Sequence, residues 1–329
     1  MLRIDRAAWL VLAWVAGGCD VPNPRPGDMR TNPDADGLPA NYVAPRPART
    51  ILNLKYGSLS SQLIDLYLPS AAVNPSGTRV PVLMWLHPGG WVAGARSPVP
   101  EMILRQVSRG YAVAAVEYRL AAYDEATKLH TNIFPAAVYD VKTAIRWLKA
   151  NAGKHRFRAD RIIAVGASAG GHLAAFAGVS AGSYEPRGLP YALATVTSRV
   201  AGVVDMVGPT DLVSFVRINH PWAVGLPFVF LGYPDPAAPD LARLRAASVT
   251  TYLDRTDPPA YFAYGALDSL VVPASQGAPV AKAWANAKGD PNSVWYDLVE
   301  RAGHNLDPSL VNMRALEKFL DNVVSGTLK

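Results

Sequence analysis

Cysteine is nearly absent from this chain of 329 residues, whose only cysteine is Cys19. One cysteine excludes an intramolecular disulfide, a metal site built from several thiolates, and a cysteine nucleophile in any domain that follows it. Disulfides are not needed for stability here, because half of the residues are hydrophobic and a chain of this length can bury a large core.

The apolar run near the N-terminus is too short to span a membrane. Residues 7–16 are almost wholly apolar, whereas a spanning helix needs about 20 such residues. Two arginines precede the run and small residues follow it up to Cys19, a pattern typical of a signal peptide whose end resembles a bacterial lipobox. We therefore expect a signal peptide at 1–19 and lipidation of Cys19. The alternative is an ordinary cleaved signal peptide with Cys19 nearby by coincidence.

The predicted anchor and the segment after it bear on where the protein acts. Acyl chains on Cys19 would attach an exported bacterial lipoprotein to a membrane, facing the periplasm or the cell exterior. Without them the protein would be soluble and secreted or periplasmic. Residues 20–50 hold seven prolines among small and polar residues, which predicts a semi-rigid tether or an arm laid on the domain that follows.

A concentrated stripe of positive charge is also lacking. The net charge is +6, but the cations are scattered, with a modest cluster at Lys154, Arg156, Arg158 and Arg161. Nucleic-acid binding requires a basic stripe along one helix or loop, so the sequence argues against a nucleic-acid partner. An anionic membrane surface remains compatible with this charge.

Short apolar runs alternate with helical patterns through the rest of the chain. Continuous apolar character is typical of parallel strands that are buried on both faces. A helix that begins at Pro135 would place Val138, Val141, Ile145 and Leu148 on one stripe. The pattern predicts an α/β fold with a mostly parallel, doubly wound sheet and helices on both faces. The candidate strands are 64–68, 80–86, 112–117, 162–165, 202–207, 260–265 and 294–298.

We assign residues 51–329 to one domain, in which the segment 208–259 breaks the alternation. That segment is rich in proline and aromatic residues, including Trp222. Because so many aromatic side chains need a surface to cover, we expect a small cap insertion over a pocket. The alternative is a surface excursion packed by its own side chains.

Residues 166–170 form a G-x-S-x-G pattern between a predicted strand and a predicted helix. This is the context of a nucleophile elbow, in which Ser168 is exposed on a sharp turn. Upstream, the strand 80–86 runs into a His-Pro-Gly-Gly-Trp sequence at 87–91, the arrangement of an oxyanion loop. Downstream come Asp268, after a strand and a glycine, and His304, after the last strand.

These residue types predict nucleophilic catalysis without a metal or an organic cofactor. Ser168 needs a base to take its proton, His304 would be that base, and Asp268 would orient the imidazole. Backbone N–H groups would stabilise an oxyanion, and aromatic or imidazole side chains would contact the substrate. The predicted oxyanion donors are Gly89, Gly90 and Ala169, and the predicted substrate contacts are Trp91, His220 and Trp222. Weaker candidates for the aspartate that orients His304 are Asp254, Asp257 and Asp297. His172 is expected to lie under the elbow.

The motifs at 86–91, 117–120, 134–136 and 166–172 carry a family resemblance. From about residue 54 onward the chain resembles an α/β-hydrolase of the bacterial esterase and lipase type. In pattern it is nearest to the hormone-sensitive-lipase-like and feruloyl-esterase-like (BD-FAE-like) branch. Such enzymes usually have glycine where this chain has Pro88, but that residue's N–H is not one of the family's oxyanion donors.

The resemblance implies a serine carboxylic-ester hydrolase that acts through an acyl-enzyme on short-chain or small aryl esters. A second hypothesis keeps the Ser-His-Asp triad and changes the bond, giving an amidase, formamidase or peptidase-like hydrolase. A third is a non-catalytic lipoprotein that uses the hydrolase fold for binding. The third hypothesis predicts the loss of at least one catalytic residue, whereas the sequence retains all of them.

Overall fold

A sheet of eight strands forms the centre of the computed structural model, which describes residues 46–218, 220–306 and 311–328. In spatial order the strands are β1 (Arg49–Lys55), β2 (Leu63–Leu68), β4 (Ala112–Val116), β3 (Val80–Leu86), β7 (Phe157–Ala167), β8 (Gly202–Met206), β9 (Ala260–Gly265) and β10 (Val294–Val299). A separate hairpin pairs β5 (Ala122–Asp124) with β6 (Leu129–Thr131). Each predicted strand is present, and β3 and β9 have the predicted bounds.

Strand direction divides the sheet. β3 pairs in parallel with β4 and β7, and the parallel pairing continues through β8, β9 and β10. β1 and β2 are antiparallel to each other, and β2 is antiparallel to β4. The carboxyl ends of the parallel strands therefore meet at one edge, where an open α/β sheet places its functional loops.

Helices cover both faces of the sheet, which confirms the predicted α/β architecture. They are α1 (Glu101–Leu104), α2 (Ala136–Ala150), α3 (Ala152–His155), α4 (Ala169–Val179), α5 (Tyr191–Ala194), α6 (Leu212–Phe215), α7 (Pro221–Leu231), α8 (Leu241–Ala246), α9 (Pro273–Gln276), α10 (Ala278–Lys288) and α11 (Met313–Ser325). α2, α4, α7 and α10 pack on one face, and α1 and α11 pack on the other.

Helix α2 follows the sequence pattern closely. Val138, Val141, Ile145 and Leu148 are all buried against the sheet, as their spacing predicts. The strand β4 beside it is buried along its whole length. A strand buried on both faces must be apolar throughout, which is why β4 consists of alanine and valine.

The segment 208–259 contains α6, α7 and α8 and lies after β8, at the functional edge of the sheet. β1 begins at Arg49, within the range 20–50 assigned to the tether. The signal peptide, Cys19 and most of the tether lie outside the described residues. Within the described ranges, no helix combines the length and apolar character that crossing a bilayer requires.

Candidate active site

Ser168 occupies the turn between β7 and α4 and has a left-handed backbone, with φ 52° and ψ −122°. Its N–H donates to the carbonyl of Met206 at 2.8 Å, which ties the turn to β8. Gly166 and Gly170, two residues on either side of Ser168, have no room for a side chain. A Cβ on Gly166 would lie 2.1 Å from the carbonyl oxygen of Gly170, and one on Gly170 would lie 2.1 Å from that of Leu86.

The structure brings Ser168, His304 and Asp268 together in one hydrogen-bonded chain. The Nε2 atom of His304 lies 3.0 Å from Ser168 Oγ, and its Nδ1 atom lies 2.8 Å from Asp268 Oδ2. The second carboxylate oxygen of Asp268 accepts from the backbone N–H groups of Leu270 and Val271 at 2.9 and 2.8 Å. These bonds fix the carboxylate, which in turn fixes the imidazole.

The chain of bonds also selects a tautomer for His304. Because the Asp268 carboxylate can only accept, Nδ1 of His304 carries the proton and donates it. Nε2 then has a free lone pair directed at the Ser168 hydroxyl. A neutral imidazole in this position can take the proton of a serine nucleophile. The competing aspartates have other partners: Asp254 binds Thr256, Asp257 binds the N–H of Asp254, and Asp297 binds Tyr261.

The loop 87–94, which we name the glycine loop, passes beside the elbow. Gly89 and Gly90 have φ angles of 128° and 59°, a region that favours glycine. A Cβ on Gly89 would lie 2.0 Å from the carbonyl oxygen of Ala93, so the loop closes only with glycine there. Ala169 is the first residue of α4, where backbone N–H groups have no partner within the helix. The start of the loop and the start of α4 both lie beside the elbow, since a Cβ on Gly170 would lie 2.6 Å from the carbonyl oxygen of His87.

Trp91 is a buried residue of the glycine loop, with 1% of its surface exposed. Its indole N–H donates to His172 Nδ1 at 3.1 Å, and its ring stacks on Phe230 at 4.5 Å. This burial gives Trp91 a bracing role in the loop and does not support the predicted substrate contact. His172 lies under the elbow, as expected, and its Nε2–H donates to the carbonyl of Ala247 at 2.8 Å.

His172 keeps this arrangement because it stays neutral. Burial lowers its pKa to about 4, and the hydrogen bond to the Ala247 carbonyl only partly offsets the effect. A protonated imidazole would donate from both nitrogens and could not accept from Trp91. His172 therefore couples the glycine loop to α4 throughout the neutral pH range.

Helix α7 covers the glycine loop. Phe230 stacks on Trp91, and Leu226, one turn earlier, reaches Gly90: a Cβ on Gly90 would lie 2.6 Å from a methyl group of Leu226. Trp222, one turn earlier again, is half-buried. Positions separated by four residues share one face of a helix, so this face of α7 forms the wall above the loop. Sequence reasoning did not identify Leu226, because only the folded helix brings it to Gly90.

His220 caps helix α7 and stands near the triad residues. Its Nδ1 accepts from the N–H of Trp222 at 3.2 Å, so Nε2 carries the proton in the neutral ring. Burial lowers the pKa of His220, the proximity of His304 lowers it further, and Asp268 raises it. His220 is therefore a neutral N–H donor at the mouth of the site, consistent with the substrate contact predicted for it.

A polar network supports the glycine loop from beneath. The ring of His87 stacks on Tyr118 at 4.2 Å, and its Nε2 lies 3.3 Å from a carboxylate oxygen of Glu117. Arg96 binds that carboxylate at 3.0 Å and Asp65 at 2.9 Å. Burial raises the pKa of Glu117, but hydrogen bonds from His87 and Arg96 outweigh it and lower the pKa overall.

A buried carboxyl, Asp205, lies directly beneath the elbow. It accepts from the N–H of Gly208 at 2.9 Å and from the hydroxyl of Tyr264 at 3.3 Å. A Cβ on Gly171 would lie 2.2 Å from its Oδ1. Burial raises the pKa of Asp205 to about 7, although the two hydrogen bonds lower it in part. Within the described ranges, no group of three or more His, Cys, Asp and Glu residues could hold a metal ion.

Comparison with known proteins agrees with this architecture. Esterase LipC of Mycobacterium tuberculosis is 33% identical over 153 residues, which are 45% of this chain and 34% of LipC. Esterase LipQ of the same organism is 27% identical over 232 residues, 70% of this chain and 51% of LipQ. The chain thus spans between a third and about half of the length of these curated relatives.

Two solved structures share the fold. A truncated carbohydrate esterase from gut microbiota is 26% identical, with a TM-score of 0.69 over 85% of this chain and 97% of that chain. A butyrate-bound esterase from Thermogutta terrifontis is 22% identical, with a TM-score of 0.62 over 84% and 94%. The model of the BD-FAE family matches residues 64–283, which include the glycine loop, the elbow and Asp268. With the parallel sheet and the elbow in the places that an α/β-hydrolase requires, the chain belongs to the BD-FAE family.

Proposed function

We propose that this protein is a serine carboxylic-ester hydrolase that works through an acyl-enzyme. The observation that carries the proposal is the hydrogen-bonded chain from Ser168 through His304 to Asp268, with both ring nitrogens of His304 at 3.0 Å or less from their partners. The names of the relatives support ester hydrolysis, since they include esterases and a probable carboxylic ester hydrolase.

The proposed reaction has two halves. Ser168 Oγ attacks the ester carbonyl carbon while its proton passes to His304 Nε2. The tetrahedral intermediate collapses, the bond to the alcohol oxygen breaks, and His304 gives its proton to the departing alcohol. Water then attacks the acyl-enzyme with His304 as the base, which releases the carboxylic acid and restores Ser168. Asp268 stabilises the imidazolium that forms in each half.

The negative charge on the carbonyl oxygen requires its own donors. The N–H groups of Gly89, Gly90 and Ala169 are the proposed oxyanion hole, because the glycine loop and the start of α4 flank Ser168. The loss of one such donor typically raises the barrier by about 3 kcal/mol. The positive φ angles at Gly89 and Gly90 support the proposal, because glycine gives the loop the freedom that such a turn of the backbone requires.

The proposed substrates are short-chain or small aryl esters. Leu226 lies over Gly90 and Trp91 is buried behind the loop, so the wall of α7 restricts space beside the carbonyl. The similar carbohydrate esterase supports carbohydrate esters as a substrate class to include. An amidase would use the same triad, but the relatives' names favour esters. A purely binding role does not explain three intact and mutually oriented residues.

We also propose that the protein is an exported lipoprotein attached to a membrane through Cys19. The support is the apolar run at 7–16, the small residues that lead to Cys19, and the proline-rich segment after it. In this proposal the segment 20–50 links the lipid anchor to the domain.

Hydrolysis of p-nitrophenyl esters from acetate to decanoate tests the enzymatic proposal. We expect activity on the short esters, and its loss in Ser168→Ala to the background rate. Ser180→Ala is the matched control, because Ser180 is buried at the end of the same helix and its hydroxyl donates to the carbonyl of Phe176, far from the reaction. Equal rates of ester hydrolysis by the Ser168→Ala and unaltered proteins would contradict the proposal of a serine esterase. Activity on anilides or formamides, without activity on esters, would support the amidase hypothesis instead.

A further inference from the structure

A group of eleven cations lies at the edge of the sheet opposite Ser168. The parallel strands begin at this edge, and the connections that enter β3, β7, β8 and β9 all carry arginine or lysine. We name this surface the basic face and define it by Arg46, Arg49, Arg79, Lys149, Lys154, Arg156, Arg158, Arg161, Arg199, Arg255 and Lys288.

Contacts between the connections join these cations into one surface. The carbonyl of Arg156 accepts from the N–H of Val80, which brings the entries of β7 and β3 together. Arg158 and Arg161 both donate to the carbonyl of Val324, at 3.2 and 3.0 Å. On the other side, Lys149 donates to the carbonyl of Arg199 at 2.5 Å. The surface therefore runs from the start of β1 to the start of β9.

Carboxylates do not balance this charge. Among the described residues, the ion pairs on the basic face are those of Asp160 with Arg161 at 3.0 Å and Arg158 at 3.4 Å. Asp257 is buried, and burial raises its pKa to about 7, so it is only partly ionised at neutral pH. Asp254 lies close to the start of β9 and Asp290 close to the start of β10. Farther along the connection into β8, Glu185 pairs with Lys142 and Arg146, which are not part of the basic face.

Cations at the edge that carries the site are arranged differently. Arg96 binds Asp65 and Glu117, and Arg119 binds Asp140 at 2.8 Å. Paired charges cancel at a distance, whereas unpaired charges on one face add to a field that attracts anions. The basic face therefore carries an excess of positive charge at the edge opposite Ser168.

We propose that the basic face docks on an anionic phospholipid surface, with the edge that carries Ser168 turned away from it. A cavity of about 470 Å³ within this face has room for a phosphate headgroup. Its charged lining residues are the cations Arg161, Arg199, Arg255 and Lys288 and the carboxylates Asp160 and Asp257. Cations close to an anionic leaflet strengthen attachment, and the effect decays within a Debye length.

The path of the chain favours a membrane over other polyanions. Residues 1–45, with the apolar run 7–16, precede Arg46, and the N–H of Ala48 donates to the carbonyl of Leu68 at the same edge. Any anchor in that segment would be joined to the domain at this edge. The cations come from separate connections and do not follow one helix or groove, as a nucleic-acid backbone would require.

The test uses the full chain with Cys19→Ser, so that lipidation does not dominate binding. Co-sedimentation is measured with phosphatidylcholine vesicles that contain or lack phosphatidylglycerol. The test variant is R79E/K154E/R255E, whose three side chains are exposed. The matched control is K55E/R187E/R245E, which makes the same charge change at exposed positions away from the basic face. Thermal unfolding of each variant confirms that it is folded.

We expect phosphatidylglycerol to increase binding, and the test variant to reduce that increase about ten-fold or more, since each cation near the surface contributes roughly five-fold. The control should retain most of it. Equal losses in both variants would overturn the proposal, because net charge alone would then explain binding. Binding to duplex DNA that is tighter than to vesicles and is lost in the test variant would assign the face to nucleic acid instead.

Discussion

Three non-glycine residues around the elbow have positive φ angles. Ser168, Trp91 and Val207 have φ angles of 52°, 65° and 50°, in a region that side chains with a Cβ rarely adopt. Val207 is β-branched, for which this conformation is most costly, and it lies beside the residue that accepts from Ser168. A strained backbone conformation persists only when surrounding contacts stabilise it. Removal of the contacts that hold Trp91 therefore tests whether they position the glycine loop.

His172 is predicted to position the glycine loop through Trp91. In His172→Phe the ring volume is nearly kept, but the indole N–H of Trp91 loses its acceptor inside the core. The loop then shifts relative to Ser168, and we expect kcat for p-nitrophenyl acetate to fall about 10- to 100-fold, since one oxyanion donor contributes on that order or more. KM should change little, because the substrate wall of α7 is intact.

A double-mutant cycle with Trp91→Phe separates positioning from general damage. If His172 acts through the indole, the double variant is no slower than the slower single variant. Additive losses, or an equal rise in KM and fall in kcat, would contradict the positioning role. Thermal unfolding measured in parallel shows how much of any loss comes from stability.

Asp205 is predicted to make the stability of the protein depend on pH. Its pKa is about 4 in an unfolded chain and is raised by burial to about 7 in the folded protein. The folded state therefore binds the proton more tightly, so the stabilisation is complete below pH 4 and is lost as pH rises towards 7. A difference of about 3 pKa units corresponds to at most about 4 kcal/mol.

Urea unfolding of the unaltered protein and of Asp205→Asn, at pH 5 and pH 8, measures this contribution. His172 has the opposite dependence, because its pKa is lowered, but it is present in both proteins and cancels in the difference. We expect the stability of the unaltered protein to decline relative to Asp205→Asn as pH rises. Asp235→Asn, at an exposed position, should show no such trend. A flat difference for Asp205→Asn would refute the assignment.

At the scale of elements, the parallel strands were predictable because burial on both faces requires continuous apolar runs. β1 was missed for a physical reason. It is an edge strand with mostly exposed residues, and Asn53, with φ 58°, interrupts its register with β2 between Ile51 and Leu54. An alternation of apolar and polar residues with a period of two does not continue across such a bulge. The hairpin of β5 and β6 has only three residues in each strand and likewise leaves no pattern.

Helix α7 shows the limit of local reasoning more clearly. Pro221, Gly225 and Pro227 within 11 residues argue against a helix, yet the structure forms one with Pro221 in its first turn and His220 as the cap. Tertiary packing of Phe228 and Phe230 overrides the weak propensity. The triad was accessible from chain order, because the strand ends converge, but the contact of Leu226 with Gly90 depends on a helix that the sequence does not predict.

Leu226 is predicted to limit the length of the acyl group or leaving group. In Leu226→Ala the wall over Gly90 recedes, so longer p-nitrophenyl esters gain space beside the glycine loop. We expect kcat/KM for octanoate relative to acetate to rise about ten-fold, the scale at which a pocket discriminates a few methylene groups. Val224→Ala is the control, because two residues along a helix place Val224 on nearly the opposite face. An unchanged ratio in Leu226→Ala, or the same change in both variants, would show that another element sets the length.

At the scale of the whole molecule, the parallel strands separate the two proposed functions. The carboxyl ends carry Ser168, and the amino ends carry the basic face. Arg161 lies within β7 and Ser168 directly follows its last residue, so the two are seven residues apart, or roughly 23 Å at 3.3 Å per residue. That distance is more than twice the Debye length of about 8 Å at physiological ionic strength. The field of a membrane at one edge is therefore largely screened at the other.

This separation predicts that membrane binding leaves catalysis unchanged. With phosphatidylglycerol vesicles in excess, the rate of p-nitrophenyl acetate hydrolysis by the Cys19→Ser protein should stay within about two-fold of the rate without vesicles, since the site faces water and lies beyond the screened field. R79E/K154E/R255E, which should not bind, supplies the reference for any effect of lipid on the substrate itself. A strong increase on binding would mean that lipid opens the wall of α7 above Gly90. A strong decrease would mean that Ser168 faces the bilayer. Either result would contradict the prediction that membrane binding at one edge of the sheet leaves catalysis at the other edge unchanged.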